Sequence, residues 1–405
     1  MPPNPQIAVV SPFLDKRHGT ELCIAEQLER LCGSYEFHLY SMRVEDVDLS
    51  RIHWHQIPDV PGPYLFRYAW WFVVNPLWRW YHRRFRNVRP EIVYSPGVNC
   101  LDADIISVHI VFVEFHRLVK RQLNLRRARV RSWPRAIHRW LYYHLAMTLE
   151  SMVYGRKTAL LTPVSKKVAD DLKNCFGRSD SLSVVYYGVD SRRFCPEMRM
   201  KRRADARQSL GLDENAFALL LIGNDWMKKG LDCVLAGVEA IAIPNLRLLV
   251  AGHDDVTFYR DILSRRGLSR VVSFLPVRAD VEIYYAATDV YAGPSLEDAF
   301  AIPPLEAMAS GLPVIVSRQA GVSEIITNGL DGFILENPHD ATELARLLKQ
   351  LYETPDLRIR LGKRAALTAK QYSWERNAAE MKTLFDLALR RKSVNEDGIR
   401  RDAPV

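Results

Sequence analysis

Asp298 and Glu306, with seven residues between them, flank a short helical segment inside the stretch Asp289–Ser317, which reads strand, loop, short helix, strand. A carboxylate offers two acceptor oxygens, a match for the vicinal hydroxyls of a ribose or pyranose ring. Pro303 and Pro304 suit the first turn of a helix, and Gly311 suits its end. A helix that opens at a strand's carboxyl edge presents free amides and favours phosphate. Because prolines donate nothing, the donors expected there are the amides of Ala301, Ile302 and Leu305. A second element, Leu219–Asp232, is a buried strand, a loop holding Lys228 and Lys229, and a helix. Lysines there can neutralise a diphosphate as point charges. Spacing alone leaves other roles open: Glu306 could complement the helix dipole, Asp298 could cap a turn, and Lys228 could be a solvated helix start.

The elements that must position these groups alternate in type. Short apolar runs are separated by longer segments of helical period, the pattern of parallel sheets covered by helices. Strands are expected at 7–10, 37–42, 91–96, 105–110, 159–164 and 182–188 in the first half. In the second half they are expected at 216–223, 246–252, 271–277, 289–294, 313–317 and 332–335. The polar stretch Cys195–Arg207 marks a domain boundary and leads into a short helix capped near Asp205 and stopped at Gly211. The expectation is two α/β domains of similar size with ligands outside the carboxyl ends of their strands, in an interdomain cleft.

Composition excludes several classes. The 405 residues are 48% apolar and 25% charged, with no fixed repeat. Six scattered cysteines without a CxxC pair read as reduced, mostly buried thiols. The first residues lack a signal-peptide pattern, so a cytoplasmic protein is expected. The longest apolar stretch, Tyr68–Trp78, contains Pro76 and falls short of the ~20 residues that span a bilayer. No GxxxxGK[ST] loop or GxGxxG is present, which argues against simple ATPase and dinucleotide readings. The net charge of +9 is local: residues 51–139 hold 16 Lys/Arg against 5 Asp/Glu. Two segments, 67–86 and 117–135, mix aromatics with cations. Such composition suits an anionic membrane surface, or helices with aromatics packed inward and arginines solvated. No RNA-binding motif accompanies it, so no nucleic acid partner is expected.

The run Pro294–Val314 resembles the E-x7-E segment of the retaining GT-B glycosyltransferases of family 4. Arg17–Glu21 resembles that family's glycine-rich loop, Thr162–Ser165 its segment before a helix, Tyr187–Asp190 with Phe194 and Pro196 the end of its first domain, and Tyr372–Glu375 the start of its last helix. The Gly223–Gly230 form is similar to α-glucosyltransferases of lipopolysaccharide core.

The resemblance implies two Rossmann-like domains: 1–195 for the acceptor and 196–371 for the nucleotide-sugar donor. A helix over 372–393 would return to the first domain, followed by a disordered tail at 394–405. It implies that Glu306 holds the ribose, Asp298 contacts the sugar, and Lys229 with Lys228 holds the diphosphate. The backbone near Arg278 would face the base, Gly19 would let the chain approach the donor, and His109 would lie beside the transferred sugar. A single histidine at a strand end is also a common packing residue. The chain departs from the pattern in four places. Asp298 is shorter than the usual Glu, with Glu297 as a substitute beside it. Ala301 replaces Gly, Asn224 replaces Arg, and Tyr187 replaces Asn.

The implied reaction transfers a sugar from a UDP- or GDP-sugar to a hydroxyl of a cell-envelope glycan or lipid-linked acceptor, with configuration retained. No cofactor or metal is required, since the sequence shows no DxD motif on the relevant loop and no His/Cys cluster. A nucleotide-sugar epimerase and a non-catalytic glycan or nucleotide-sugar binder are the alternatives.

Overall fold

The computed structural model describes residues 4–122 and 133–401. The chain divides into two units, one comprising the chain up to Tyr186 and again from Trp374, the other Tyr187–Ser373.

In the first unit the strands are β1 (Gln6–Val10), β2 (Phe13–Leu14), β3 (Glu36–Ser41), β4 (Arg43–Val44), β5 (Ile52–Gln56), β6 (Ile92–Pro96), β7 (Ile105–Val108) and β8 (Leu160–Pro163). The helices are α1 (Gly19–Leu31), α2 (Tyr64–Phe85), α3 (Phe112–Gln122), α4 (Trp133–Tyr154) and α5 (Lys166–Phe176). Six strands form a parallel sheet in the order β5-β3-β1-β6-β7-β8, and β2 pairs with β4. Residues 182–188, expected as a strand, form none: Leu182 makes one bridge, to Leu161. The sixth strand is instead β5, whose sequence Ile-His-Trp-His-Gln carries polar residues and of which only Ile52 is buried.

In the second unit the strands are β9 (Phe217–Ile222), β10 (Leu246–Ala251), β11 (Val272–Leu275), β12 (Val290–Gly293), β13 (Val314–Ser317) and β14 (Phe333–Leu335). They are all parallel, in the order β11-β10-β9-β12-β13-β14. The helices are α6 (Pro196–Ser209), α7 (Leu231–Glu239), α8 (Val256–Arg265), α9 (Glu282–Ala287), α10 (Ile302–Ala309), α11 (Ala341–Glu353) and α12 (Pro355–Ala369). Leu219, Leu221, Leu248 and Val250 are fully buried, as expected of strands covered on both faces. Each such side chain contributes about 1.5–3 kcal/mol of burial.

The helix expected to be capped near Asp205 begins earlier, at Pro196, so Asp205 lies inside α6. Pro196 is favourable in a first turn. Arg199, Arg203 and Arg207, four residues apart, align on one face of α6. They donate to the carbonyls of Thr288 (2.7 and 3.0 Å, from Arg199 and Arg203) and Ala287 (2.8 Å, from Arg207) at the end of α9. Leu210 ends the helix and Gly211, with φ +64°, follows it.

The last helix, α13 (Trp374–Arg401), belongs to the first unit and runs beyond the expected end at 393, so the expected tail is helical as far as Arg401. Residues 402–405 lie outside the described residues. Phe385 of α13 packs its ring 5.5 Å from Tyr35, 6.3 Å from Phe37 and 5.2 Å from Tyr94. Asn377 accepts from Gln27 at 2.8 Å, a buried polar link to α1.

Both sheets place strands in the order 3-2-1-4-5-6 when the six are numbered along each unit. The order reverses between β1 and β6 in the first unit, and between β9 and β12 in the second. Those switch points are where open parallel sheets bind ligands.

All six cysteines are free; Cys23, Cys100 and Cys233 are buried and the other three partly so. Among the described residues no helix is long and apolar enough to cross a membrane.

Candidate functional site

The second unit's switch point gathers the candidate residues. Gly223 to Gly230 follow the carboxyl end of β9, and Pro294 to Ala301 follow that of its neighbour β12. The two loops are in close register. The Leu296 amide donates to the Lys228 carbonyl at 2.7 Å, and Gly230, with φ +83°, lets the chain pass where a Cβ would lie 2.1 Å from the Pro294 carbonyl oxygen.

Lys229 pairs its ammonium with the Asp298 carboxylate, both side chains being mostly buried. Its stem crosses Gly223, where a Cβ would lie 2.7 Å from Lys229 Cε. Lys228 Nζ lies 3.5 Å from Asp225. Glu297 is half-buried beside Asp298. Asn224, in the position where an arginine was expected by resemblance, accepts the His253 amide at 3.0 Å, so it braces the loop. Trp226 anchors it further: its amide donates to Asp254 at 2.7 Å and its ring stacks on Phe274 at 4.8 Å.

Ala301 precedes α10 with φ +72°, a left-handed conformation that a Cβ disfavours. It occupies the site of the glycine expected by resemblance. The first four amide positions of a helix have no intrahelical acceptor. Here two of the four, 303 and 304, are prolines, and the amides of Ala301 and Ile302 donate to no described residue. Leu305, expected as a third donor, lies inside α10, where its amide is four residues beyond the Ala301 carbonyl.

Glu306, one turn further on, accepts a 2.6 Å hydrogen bond from the Tyr285 hydroxyl. Burial pushes its carboxyl up to about 7, against the lowering effect of that bond and of Arg193. Tyr285 is itself buried and packs edge-on to Phe194 at 5.6 Å. Sequence reasoning missed Tyr285, which belongs to no spacing pattern. Arg278 follows β11, exposed and bonded twice to Asp280 at 2.8 Å.

In the first unit, Gly19 opens α1 after the loop that leaves β1. Asp15 pins that loop by accepting the amides of Arg17 at 2.7 Å and His18 at 2.9 Å. His109 follows the carboxyl end of β7 and is buried, which pushes its imidazole down to about 3. It is therefore neutral near pH 7. The adjoining start of α3 is closed by Glu150, which accepts the amides of Phe112 at 2.6 Å and Val113 at 2.9 Å.

The arrangement offers cationic and amide donors for an anion, with carboxylates beside them for hydroxyls. Among the described residues no group of three or more His, Cys, Asp or Glu could hold a metal ion.

Comparison with known proteins finds a family match over part of the chain. Residues 202–368, within the second unit, match the family described as glycosyl transferases group 1. The D-inositol 3-phosphate glycosyltransferase of Streptomyces scabiei is 26% identical over 254 residues, covering 59% of this chain and 56% of that protein. The protein of the same name from Stackebrandtia nassauensis is 28% identical over 261 residues, covering 61% and 58%. The chain thus spans a little over half the length of these curated relatives.

Solved structures align over nearly all of both chains. WaaG, a glycosyltransferase involved in lipopolysaccharide biosynthesis, is 20% identical with a TM-score of 0.74, covering 93% of this chain and 99% of that one. Sucrose-phosphate synthase from Thermosynechococcus elongatus is 17% identical at 0.75, covering 95% and 99%. Anabaena Alr3699/HepE, solved with UDP and glucose, is 18% identical at 0.71, covering 95% and 100%. These likenesses establish the fold as GT-B.

Proposed function

We propose that this protein is a metal-independent, retaining glycosyltransferase of family 4. It would move a sugar from a nucleoside-diphosphate sugar to an acceptor hydroxyl. The observation that carries this reading is the meeting, at one switch point, of Lys229 with Asp298, the open amides of Ala301 and Ile302, and the partly buried Glu306. The match of residues 202–368 to a glycosyltransferase family supports it.

As the glycosidic bond breaks, the nucleotide leaving group gains negative charge on its phosphates. Lys229, Lys228 and the two amides are the groups assigned to that charge, and preorganised donors of this kind supply the largest share of many rate enhancements. Glu306 would accept from the ribose hydroxyls and Asp298 from the sugar, with Glu297 beside it. The backbone near Arg278 would face the base. Asn224 would act through the loop it braces. His109 and Gly19 are the residues assigned to the first unit's part in the reaction. No side chain is assigned as nucleophile; attack from the front face, with the donor phosphate taking the acceptor's proton, accounts for retention.

For the acceptor we propose a cell-envelope glycan or lipid-linked glycan. The names of the curated relatives make a phosphorylated polyol the second class to test. For the donor, UDP- and GDP-sugars are the first candidates. A thermal-shift screen over nucleoside diphosphates and their sugars, with and without EDTA, tests the reading at the binding level. The expected result is stabilisation by one nucleotide series that EDTA leaves intact and that Lys229→Ala weakens. Stabilisation by none would overturn the reading. Turnover of donor without any acceptor, to an epimeric sugar, would point to an isomerase instead.

A further inference from the structure

Helix α2 has two unlike faces. Inward, Trp71 donates its indole N–H to the Asn99 carbonyl at 2.7 Å, Asn75 donates to the same oxygen at 3.2 Å, and Arg79 grips Asp102 with two bonds of 2.9 and 2.7 Å. Those contacts fix the helix on the unit and set its rotation. Outward, Phe66, Val73, Leu77 and Trp80 are 54, 59, 58 and 60% exposed. Their positions are seven, four and three residues apart, the spacing of a single row along one helix face, and Arg84 continues the row at its carboxyl end. An apolar row of this length on a soluble surface marks an interaction site rather than scattered exposure.

The charge around the row is one-sided. Residues 64–90 contain six arginines and no Asp or Glu. Arg67 and Arg79 are paired with Asp59 and Asp102, whereas Arg83, Arg84 and Arg86, beside the last turn, form no ion pair with any described residue. We propose that α2 lies along an anionic bilayer surface, its outward row among the acyl chains and its terminal arginines among the headgroups. This is the arrangement of an interfacial amphipathic helix, and α2, which is not apolar enough to cross, has the composition for it.

Two other occupants fit less well. A second copy would face one acid-free helix with another, opposing like charges. A nucleic acid would want aromatic platforms, yet Val73 and Leu77 in the middle of the row are aliphatic. Residues 123–132 of the second basic segment lie outside the described residues and take no part in the inference. The surface shares no residue with the donor chemistry, so it holds or fails independently of the transferase reading.

The test is flotation of the full chain with vesicles of phosphatidylglycerol mixed into phosphatidylcholine, against phosphatidylcholine alone. The protein is expected to float with the mixed vesicles only, and less as salt rises through the range that screens surface charge. Arg83→Ser with Arg84→Ser should lower the partition coefficient by roughly tenfold or more. Leu77→Ser with Trp80→Ser should lower it comparably at unchanged net charge. All four side chains are exposed or at the exposed end of the helix, so melting temperature and nucleotide-induced thermal shift should not move. Equal flotation with both vesicle types, flotation unaffected by both double variants, or no flotation would overturn the proposal. So would a dimer in sedimentation velocity that Leu77→Ser dissolves, or vesicle binding displaced by single-stranded RNA at the same site.

Discussion

Lys229 and Asp298, carried on the loops that leave two adjacent parallel strands, form a mostly buried ion pair at the carboxyl edge of the second sheet. Each is the other's counter-charge before any ligand arrives. A diphosphate entering there competes with Asp298 for the lysine, so the two residues should respond to mutation in opposite senses. Lys229→Ala should lower nucleoside-diphosphate affinity by roughly tenfold to a hundredfold, the range for a charge-assisted contact. Asp298→Asn should leave that affinity equal or higher while kcat for transfer falls. Isothermal titration with the diphosphate, alongside steady-state kinetics, separates the two. Loss of diphosphate affinity in both variants would contradict the assignment.

Glu306 carries a pH signature. Its carboxyl is pushed up to about 7 by burial, so the free protein ionises it only as pH rises through neutrality. If the carboxylate is the form that accepts the ribose hydroxyls, kcat/KM, which reports the free enzyme, should climb through an apparent pKa near 7. Glu306→Gln should flatten that limb and raise donor KM. Tyr285→Phe, which removes the hydroxyl that donates to Glu306, should move the limb to higher pH with the fold intact.

Ala301 holds a left-handed φ of +72° at the mouth of α10. Replacing it with glycine removes the Cβ penalty but adds freedom to the unfolded chain. The two effects leave a net gain of up to about 1 kcal/mol in unfolding free energy. Ala301→Val should cost more than Ala301→Gly gains, because a β-branched side chain tolerates that region worst. Urea unfolding of both variants checks the order.

Glu150 places a second raised carboxyl in the first unit. Burial lifts it to about 7, although the amides of Phe112 and Val113 pull the other way. A folded-state pKa above the unfolded one means the contribution is full below about 4.5 and is lost as pH rises through about 7. The difference amounts to something on the order of 3 kcal/mol. Glu150→Gln cannot ionise, so wild type minus variant should fall across that window in paired urea titrations. A constant difference would show that the carboxyl titrates normally.

What the sequence made legible follows from how parallel sheets bury their strands. Runs such as Phe217–Ile222 and Leu246–Ala251, apolar but for Arg247, each lie where expected. The acids and lysines were visible because they sit at fixed distances from those strand ends. The edge strand Ile52–Gln56 was not, because an edge tolerates His53, His55 and Gln56. Residues 182–188 misled in the opposite direction: their side chains suit a strand, but their contact with β8 amounts to one bridge, at Leu182, and the amides of Ser183 and Val185. Tyr285 escaped because its bond to Glu306 joins two helices and leaves no periodic trace. The start of α6 at Pro196 was hidden by its charge, since the arginines that look like linker are the ones that grip α9.

The crossing of α13 back to the first unit has a bearing on how the protein is made. Residues 187–373 form a contiguous unit whose sheet needs nothing upstream or downstream, so it can acquire its structure as soon as it clears the ribosome. The earlier-synthesised unit cannot. Tyr35, Phe37, Tyr94 and Gln27 wait for Phe385 and Asn377, which emerge only after the whole intervening unit has been translated. The half translated first is thus the half completed last, and nascent chains stalled before Trp374 would expose that unfinished apolar seam to chaperones.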